Sequence, residues 1–378
     1  MRLDAFTKRV MRKNKSNQSR LPLTISAQYG LVDQVTFFNK IVASTDLSNY
    51  YLLKKGEFAY NKSYSSDYPW GAIKRLDNYD QGALSSLYIC FTPQDNVVSD
   101  FILQYFESPK WHKGISEIAV EGARNHGLLN VSVQDFFHTY HYVPKDKKEQ
   151  IKISKLLMLF DERIATQNKI IEDLKKLKSA IIEKHYSQVK KRTTCIADLG
   201  EPFSVGSLAK DDLVEIGSPC VIYGELFTTY GEIISHIESY TNKTDGMILS
   251  KKGDLLFPSS TTVDAMSLIA PSVINVDGVV LGGDMFGIHI SHNYNAQYLS
   301  YYFNHIAKRQ LAKFAKGSTI IHLHYADIEK AKLLLPSLEE QNRMAKCLVI
   351  LDDKIKVENS LLNLLNSQKA YLLCQMFI

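Results

Sequence analysis

The sequence predicts an α+β protein built twice: two pseudo-repeated α/β globules separated by two long helices that form an antiparallel coiled coil. Three observations carry this prediction. The blocks 149–191 and 340–378 contain neither proline nor glycine and repeat one apolar pattern. The segments ahead of them share a second, fainter set of correspondences. The order along the chain is therefore globule, helix, globule, helix, with boundaries at 1–143, 144–192, 193–335 and 336–378.

The helices come first because their pattern is clearest. A shift of 191 residues carries Glu149-Gln150 onto Glu340-Gln341 and brings the apolar positions into register. Leu157 falls on Leu348, Phe160 on Leu351, Ile164 on Ile355, Ile171 on Leu362, Leu174 on Leu365 and Ile181 on Leu372. Steps of three, four and seven define a heptad seam, interrupted by Gln167 and Lys178 in one block and by Glu358 and Lys369 in the other. Each block is opened by a proline, Pro144 or Pro336. At 1.5 Å per residue a helix of about 40 residues is roughly 60 Å long, and its stripe needs a covering partner. The other copy supplies it. An antiparallel pair gives the chain a pseudo-twofold axis, whereas a parallel pair, the alternative, would put both globules at one end.

The globules repeat at an offset of 197. KKGEFAYNKS at 54–63 matches KKGDLLFPSS at 251–260, and Phe101-Ile102 and Tyr105-Phe106 match Tyr298-Leu299 and Tyr302-Phe303. Asp135 and Asp327 align at 192. Short β-rich runs such as CVIYGEL at 220–226 and KAKLLLP at 330–336, punctuated by turn residues, mark both segments as mixed α/β.

Composition bounds the function classes. A chain of 378 residues suits two or three domains, and 45% hydrophobic with 22% charged residues is an ordinary globular mix. No apolar run reaches the roughly 18 residues of a membrane span, and the N-terminus leads into KNKSNQSR rather than an apolar signal core, so membrane and secreted classes are not expected. Cys90, Cys195, Cys220, Cys347 and Cys374 are odd in number and form no CxxC pair, as reduced thiols of a cytoplasmic protein would be. The net charge is only +5. Residues 1–20, however, set Arg2, Lys8, Arg9, Arg12, Lys13, Lys15 and Arg20 against Asp4 alone. Such a cluster is a footprint for a polyanion, or else a disordered, solubilising tail. The first long block is also basic, which reads as a solvated face with helices docked on it rather than a DNA track.

At this point the sequence resembles the specificity subunit of a type I restriction–modification system. The resemblance rests on LLLPSLEEQNRMAKCLVILDDKIKVENSLLNLLNSQKAYLLCQMF at 333–377, on KGSTIIHLHYADIEKAKLLLP at 316–336 and on SKKGDLLFPSS at 250–260. That family alternates two target-recognition domains with two helical spacers, as this chain does over essentially its whole length. Three departures stand out. The first spacer opens one residue longer, as VPKDKKEQ. The first globule carries EGARNHGLLNVS at 121–132 in place of the KGST stretch. Its start near Lys8–Asn14 is brief, with a first strand missing or altered.

The resemblance implies a non-catalytic subunit that reads an asymmetric, bipartite site in double-stranded DNA, in a prokaryotic cytoplasm. It implies two methyltransferase subunits, which use S-adenosylmethionine to methylate adenine, and two restriction subunits, which use ATP and magnesium, with no cofactor on this chain. The residues agree: there is no phosphate-binding GxxxxGK[ST] run and no GxSxG elbow, and Gly282-Gly283 reads as a turn. The alternatives are a nuclease hidden in one globule, for which no clustered acidic and lysine site is visible, and a coiled-coil adaptor without DNA readout.

Base edges are read by amide, guanidinium and hydroxyl groups on loops, while lysines and backbone amides hold phosphates. Four stretches have that chemistry. Asn61, Lys62, Ser63 and Tyr64 follow the first KKG motif, and Ser259, Ser260 and Thr261 follow the second. Arg124, Asn125 and His126 lie between Gly122 and Gly127, and Lys316, Ser318 and Thr319 surround Gly317. Arg124 and Asn125 suit bidentate base contacts best. The competing reading is that Gly–polar clusters are ordinary exposed turns. His138 and His141, His289 and His292, and His322 and His324 lack the cysteine pairs or HExxH helix of a metal site. His322 and His324 share one strand face, where they contact phosphate or pack, and packing is the favoured reading. Tyr50-Tyr51, Phe136-Phe137 and Tyr301-Tyr302 sit in apolar runs and are expected in the core rather than stacked on bases.

Overall fold

The structure is a computed structural model that describes residues 1–40, 42–119 and 127–377. Two compact units divide it, Met1–Asn168 with Ser360–Ile378, and Lys169–Asn359. Each unit therefore holds one globule and part of each long helix.

In the first unit a four-stranded antiparallel sheet runs in the order Thr7–Arg9, Ile89–Pro93, Phe58–Asn61, Ala72–Arg75. A second sheet orders Gly30–Asp33, Pro22–Ser26, Gln81–Leu84 and Tyr51–Lys54, with Pro22–Ser26 and Gln81–Leu84 parallel. The second unit repeats both arrangements. Gly200–Ser204, Met285–Ile290, Asp254–Pro258 and Ser272–Ile274 form the counterpart of the first sheet, with Ile233–Ile234 added at its edge. Ser218–Ile222, Val280–Gly282 and Ile248–Leu249 form the counterpart of the second, and the first two of these are again parallel. The repeat thus extends to strand order and direction.

The first strand of the first globule is present, shortened to three residues against five in Gly200–Ser204. The basic N-terminus is folded rather than a free tail, because internal groups hold it. Arg12 donates two hydrogen bonds to the Glu57 carboxylate at 2.8 and 2.7 Å. Lys13 donates to the Asn49 carbonyl at 2.7 Å and lies over the Tyr51 ring.

The shared KKG motif is a turn. Gly56 and Gly253 adopt φ of +84° and +93°, a region where a Cβ is strained. The following acid closes each turn: Lys54 N–H donates to Glu57 Oε2 at 2.7 Å, and Lys251 N–H to Asp254 Oδ2 at 2.8 Å. Aromatic rings fill both cores. Phe58, Phe91, Phe101, Tyr105 and Phe136 pack in the first unit, and Phe257, Phe286, Tyr298, Tyr302 and Phe303 in the second. Burying each such ring stabilises by roughly 1.5–3 kcal/mol. Phe136-Phe137 and Tyr301-Tyr302 are core residues, as their runs predict, while Tyr50 and Tyr51 stay half-buried.

The long helices are Lys147–Gln188 and Leu338–Gln375. A buried glutamine fastens the start of each. Gln150 Nε2 donates to the Pro144 carbonyl at 2.7 Å while its Oε1 accepts from Val98 N–H at 2.7 Å. Gln341 makes the same two bonds to Pro336 and Asn295, both at 3.0 Å. The additional residue between Pro144 and Gln150 is accommodated without loss of either bond.

Within each unit the helix segments run antiparallel. In the second, Lys178 meets Asp352 and His185 meets Glu340. In the first, Asp161 bonds Lys369, and Leu157 shares a core with Leu373 and Phe377. Leu157, Ile171, Leu348, Ile355 and Leu365 are buried as predicted, and Phe160, Ile164, Leu174, Leu351 and Leu362 are half-buried. Two expectations need correcting. Gln167, Lys178 and Glu358 do not interrupt the seam; they are buried members of it. Near the helix ends Ile182 and Leu373, rather than Ile181 and Leu372, take the buried positions. A helix of 3.6 residues per turn drifts about 20° per heptad, so a count carried strictly from the first heptads ends one residue off.

Candidate nucleic-acid interface

Each globule's central strand leads into a polar loop, and a short antiparallel pairing pins that loop. In the second unit Ser260–Thr261 pairs with Ile321–His322, and Leu323 N–H donates to the Ser259 carbonyl at 2.9 Å. Lys316 and His322 exchange two backbone hydrogen bonds of 2.9 and 2.7 Å, closing a hairpin loop over 317–321. Gly317 makes its turn at φ +116°, where a Cβ would stand 2.0 Å from the Ile320 carbonyl oxygen. Two stretches singled out for the same chemistry, 259–261 and 316–319, are thereby brought side by side.

Their side chains divide. Lys316, Ser318 and Thr319 are exposed and Thr261 is half-exposed. Ser259 and Ser260 are buried, and Ser260 Oγ donates to Asp284 Oδ2 at 2.7 Å, which corrects the expectation that both present hydroxyls on an open loop. Lys316 Nζ contacts Asp327 Oδ1 at 2.5 Å, and this bond with the His324 backbone N–H holds the Asp327 carboxyl below the usual carboxylate range. His322 and His324 do not pack in the core. Both are exposed, their rings stacked on each other at 6.1 Å with 15° between planes, because strand alternation turns the intervening Leu323 inward.

The first unit repeats the pairing. Ser63 forms a β-bridge with Leu128, Leu129 N–H donates to the Lys62 carbonyl at 2.9 Å, and Tyr64 N–H to the Gly127 carbonyl at 3.1 Å. Asn61 Oδ1 accepts from Ser63 N–H at 3.0 Å, and Lys62 Nζ reaches the Val131 carbonyl at 3.4 Å. Ser63 and Tyr64 face solvent. Arg124, Asn125 and His126 lie outside the described residues.

Of the other histidines, His289 and His141 are held by local bonding. His289 Nδ1 pairs with Asp254 at 2.6 Å. His141 is buried, with Tyr105 Oη 3.1 Å from its Nδ1 and Thr139 Oγ1 2.7 Å from its Nε2. Burial, reinforced by the nearby N-terminal charge, pushes its imidazole down to about 3. Among the described residues no group of three or more His, Cys, Asp or Glu stands together as metal ligands, and no helix is long and apolar enough to cross a membrane.

The family model described as the type I restriction modification DNA specificity domain matches residues 196–367, which include the whole second ribbon. Two relatives come from Methanocaldococcus jannaschii. The type I restriction enzyme MjaVIII specificity subunit is 24% identical over 304 residues, 74% of this chain and 69% of the relative. The putative type I restriction enzyme MjaX specificity subunit is 25% identical over 284 residues, 70% of this chain and 64% of the relative. The crystal structure of a type I restriction-modification system S subunit from M. genitalium matches with a TM-score of 0.59 at 16% identity, covering 100% of this chain and 95% of that one. Over its second globule and part of its second long helix the chain is similar to type I restriction–modification specificity subunits. A chain from a study of complex assembly and conformational transition of the type I R-M system shares the same fold, with a TM-score of 0.60 at 15% identity over 99% and 95% of the two chains. In this chain the two ribbons occupy equivalent places, since Ser63 and Ser260 are related by the same offset of 197 that relates the KKG turns. What differs is the chemistry they present.

Proposed function

We propose that this chain is a type I restriction–modification specificity subunit that reads a split, asymmetric sequence in duplex DNA, one half-site per globule, and carries two methyltransferase and two restriction subunits on its helices. The observation that carries this reading is the duplicated ribbon. The same backbone pairing presents Ser63, Tyr64 and Leu128 in one unit and Thr261, Ser318, Thr319 and His322 in the other. One scaffold with two side-chain sets suits two different half-sites, with hydroxyls at base edges and Lys316 among the phosphate contacts. In this reading the chain performs no catalysis and works in the cytoplasm. S-adenosylmethionine, ATP and magnesium belong to the partner subunits.

The test is to purify the chain with its methyltransferase subunit and map methylated adenines in host DNA with and without it. A split motif that needs the chain, and of which only one half changes when residues 1–143 are exchanged for those of another specificity subunit, is the expected result. Methylation unaffected by its absence, with no complex formed, would instead favour an adaptor that never reads DNA.

A further inference from the structure

We infer that the stacked imidazoles of His322 and His324 form an anion site that holds one DNA backbone phosphate at the second half-site, and that the first globule has no equivalent. This rests on the reading of the ribbons as the DNA-facing elements. Strand alternation sends both rings to the same side of the ribbon, whose hairpin loop carries the exposed Ser318 and Thr319. At 6.1 Å between centroids, with near-parallel planes, one phosphate can accept a hydrogen bond from each ring. Two imidazolium charges so close repel one another, and an anion between them removes that repulsion. Protonation and phosphate binding therefore favour each other.

The surroundings leave the rings available. The titratable and charged groups on the elements packed against them include Lys316 on the ribbon, Tyr325 and Asp327 on the following turn, Asp284 behind Ser260, and Asp264, which caps the short helix Ala265–Leu268 beside the strand and accepts from Ser267 N–H. Asp327 is engaged by Lys316 Nζ and the His324 backbone N–H, and Asp284 by the Ser260 hydroxyl. The Lys316–Asp327 ion pair leaves no net negative charge beside the rings. In the first globule the bridge Ser63 to Leu128 stands where Ser260 pairs with His322, so Leu128 occupies the place of His322 and Asn130 that of His324. Neither residue titrates. Only one half-site then acquires a proton-linked contact.

The test uses the full chain assembled with its methyltransferase subunits and a duplex carrying the split motif mapped as above. Between about pH 8 and about pH 6, where imidazoles commonly change charge, affinity should rise about tenfold, the worth of one charge-assisted hydrogen bond. The H322Q/H324Q complex should lose that rise and, near pH 6, show a salt slope shallower by about one. An N130Q complex should keep both. Methylation of the mapped motif by the H322Q/H324Q complex near pH 8 reports that the globule is folded; if that complex does not methylate it, H322Q and H324Q singly replace the double variant. An unchanged pH rise or an unchanged salt slope in the His variants would overturn the anion site while leaving the two-ribbon reading in place. Wild-type complex that binds the split duplex no better than unrelated DNA would overturn both.

Discussion

Lys178 Nζ donates to Asp352 Oδ1 at 2.7 Å across the helix pair, and the equivalent pair with the helices exchanged is Lys369 with Asp161. The offset of 191 that aligns the two helices carries Asp161 onto Asp352 and Lys178 onto Lys369, so one interaction is made twice by pseudo-symmetry. The second carboxylate oxygen is occupied in both units, from Gln104 at Asp161 and from Tyr301 at Asp352. Residues 104 and 301 are themselves related by the globule offset of 197. In both pairs the lysine is largely buried while the carboxylate is partly exposed, and such a pair contributes less to net stability than to fixing which residues face each other. Here it selects the antiparallel register.

Lys178 also donates to Glu232 at 2.9 Å, and His305 Nε2 lies 2.8 Å from the same carboxylate. Burial opposes ionisation of Glu232, but the hydrogen bond from His305 and the charge of Lys178 prevail and hold it at about 2. K178M leaves Glu232 and Asp352 short of a counter-charge and should destabilise the second unit by about 3–5 kcal/mol, read from the urea midpoint by far-UV circular dichroism. The lost stability should be largest above the ordinary carboxylate range and shrink as pH falls toward 2, where Glu232 protonates.

Gln341 is buried with both ends of its carboxamide bonded to backbone. Q341L keeps the approximate volume but leaves the Asn295 N–H and the Pro336 carbonyl without partners. A loss of about 1–3 kcal/mol for each group left unsatisfied is expected, and Q150L should behave alike in the first unit. Thermal melts of the two single variants, compared with wild type, check this.

The neutral imidazole of His141 links the first unit to pH. Its folded value of about 3 lies below the ordinary 6.5, so the unfolded chain binds the extra proton between those limits. The contribution is complete above about pH 6.5 and declines as pH falls toward 3, with about 2 kcal/mol lost by pH 5. Both tryptophans, Trp70 and Trp111, lie in this unit. Urea unfolding followed by tryptophan emission should therefore show the slope, and H141Q should flatten it.

G317A places a methyl group against the Ile320 carbonyl in a backbone conformation strained for any side chain. The hairpin over 317–321 should open or shift. Adenine methylation at the split motif should fall or lose discrimination in the second half-site, while base preferences in the first half-site stay as in wild type. Sequencing of methylated adenines from cells carrying the variant distinguishes the two halves.

The repeat, the length of the helices and the heptad pattern of Leu157, Ile171, Leu348, Ile355 and Leu365 were legible in the sequence, because helical periodicity and the absence of proline and glycine are local properties. The core places of Phe136-Phe137 and Tyr301-Tyr302 followed from apolar runs for the same reason, whereas Tyr50-Tyr51, read the same way, stay half-buried. The KKG turns were visible as a repeated motif, but their acids, Glu57 and Asp254, show their role only through the backbone N–H groups they accept from. The direction of helix pairing, and the place of Lys178 and Lys369 inside the seam, depended on partners about 170 to 210 residues away. The pairing of Ser260 with His322, 62 residues further along the chain, likewise rests on a non-local contact; it buries two predicted loop serines and turns two histidines outward. Composition and periodicity identify what a segment can form. Which polar groups end up buried, paired or presented is decided by contacts between segments distant in the chain, since burying a polar group is favourable only when its partner is in place.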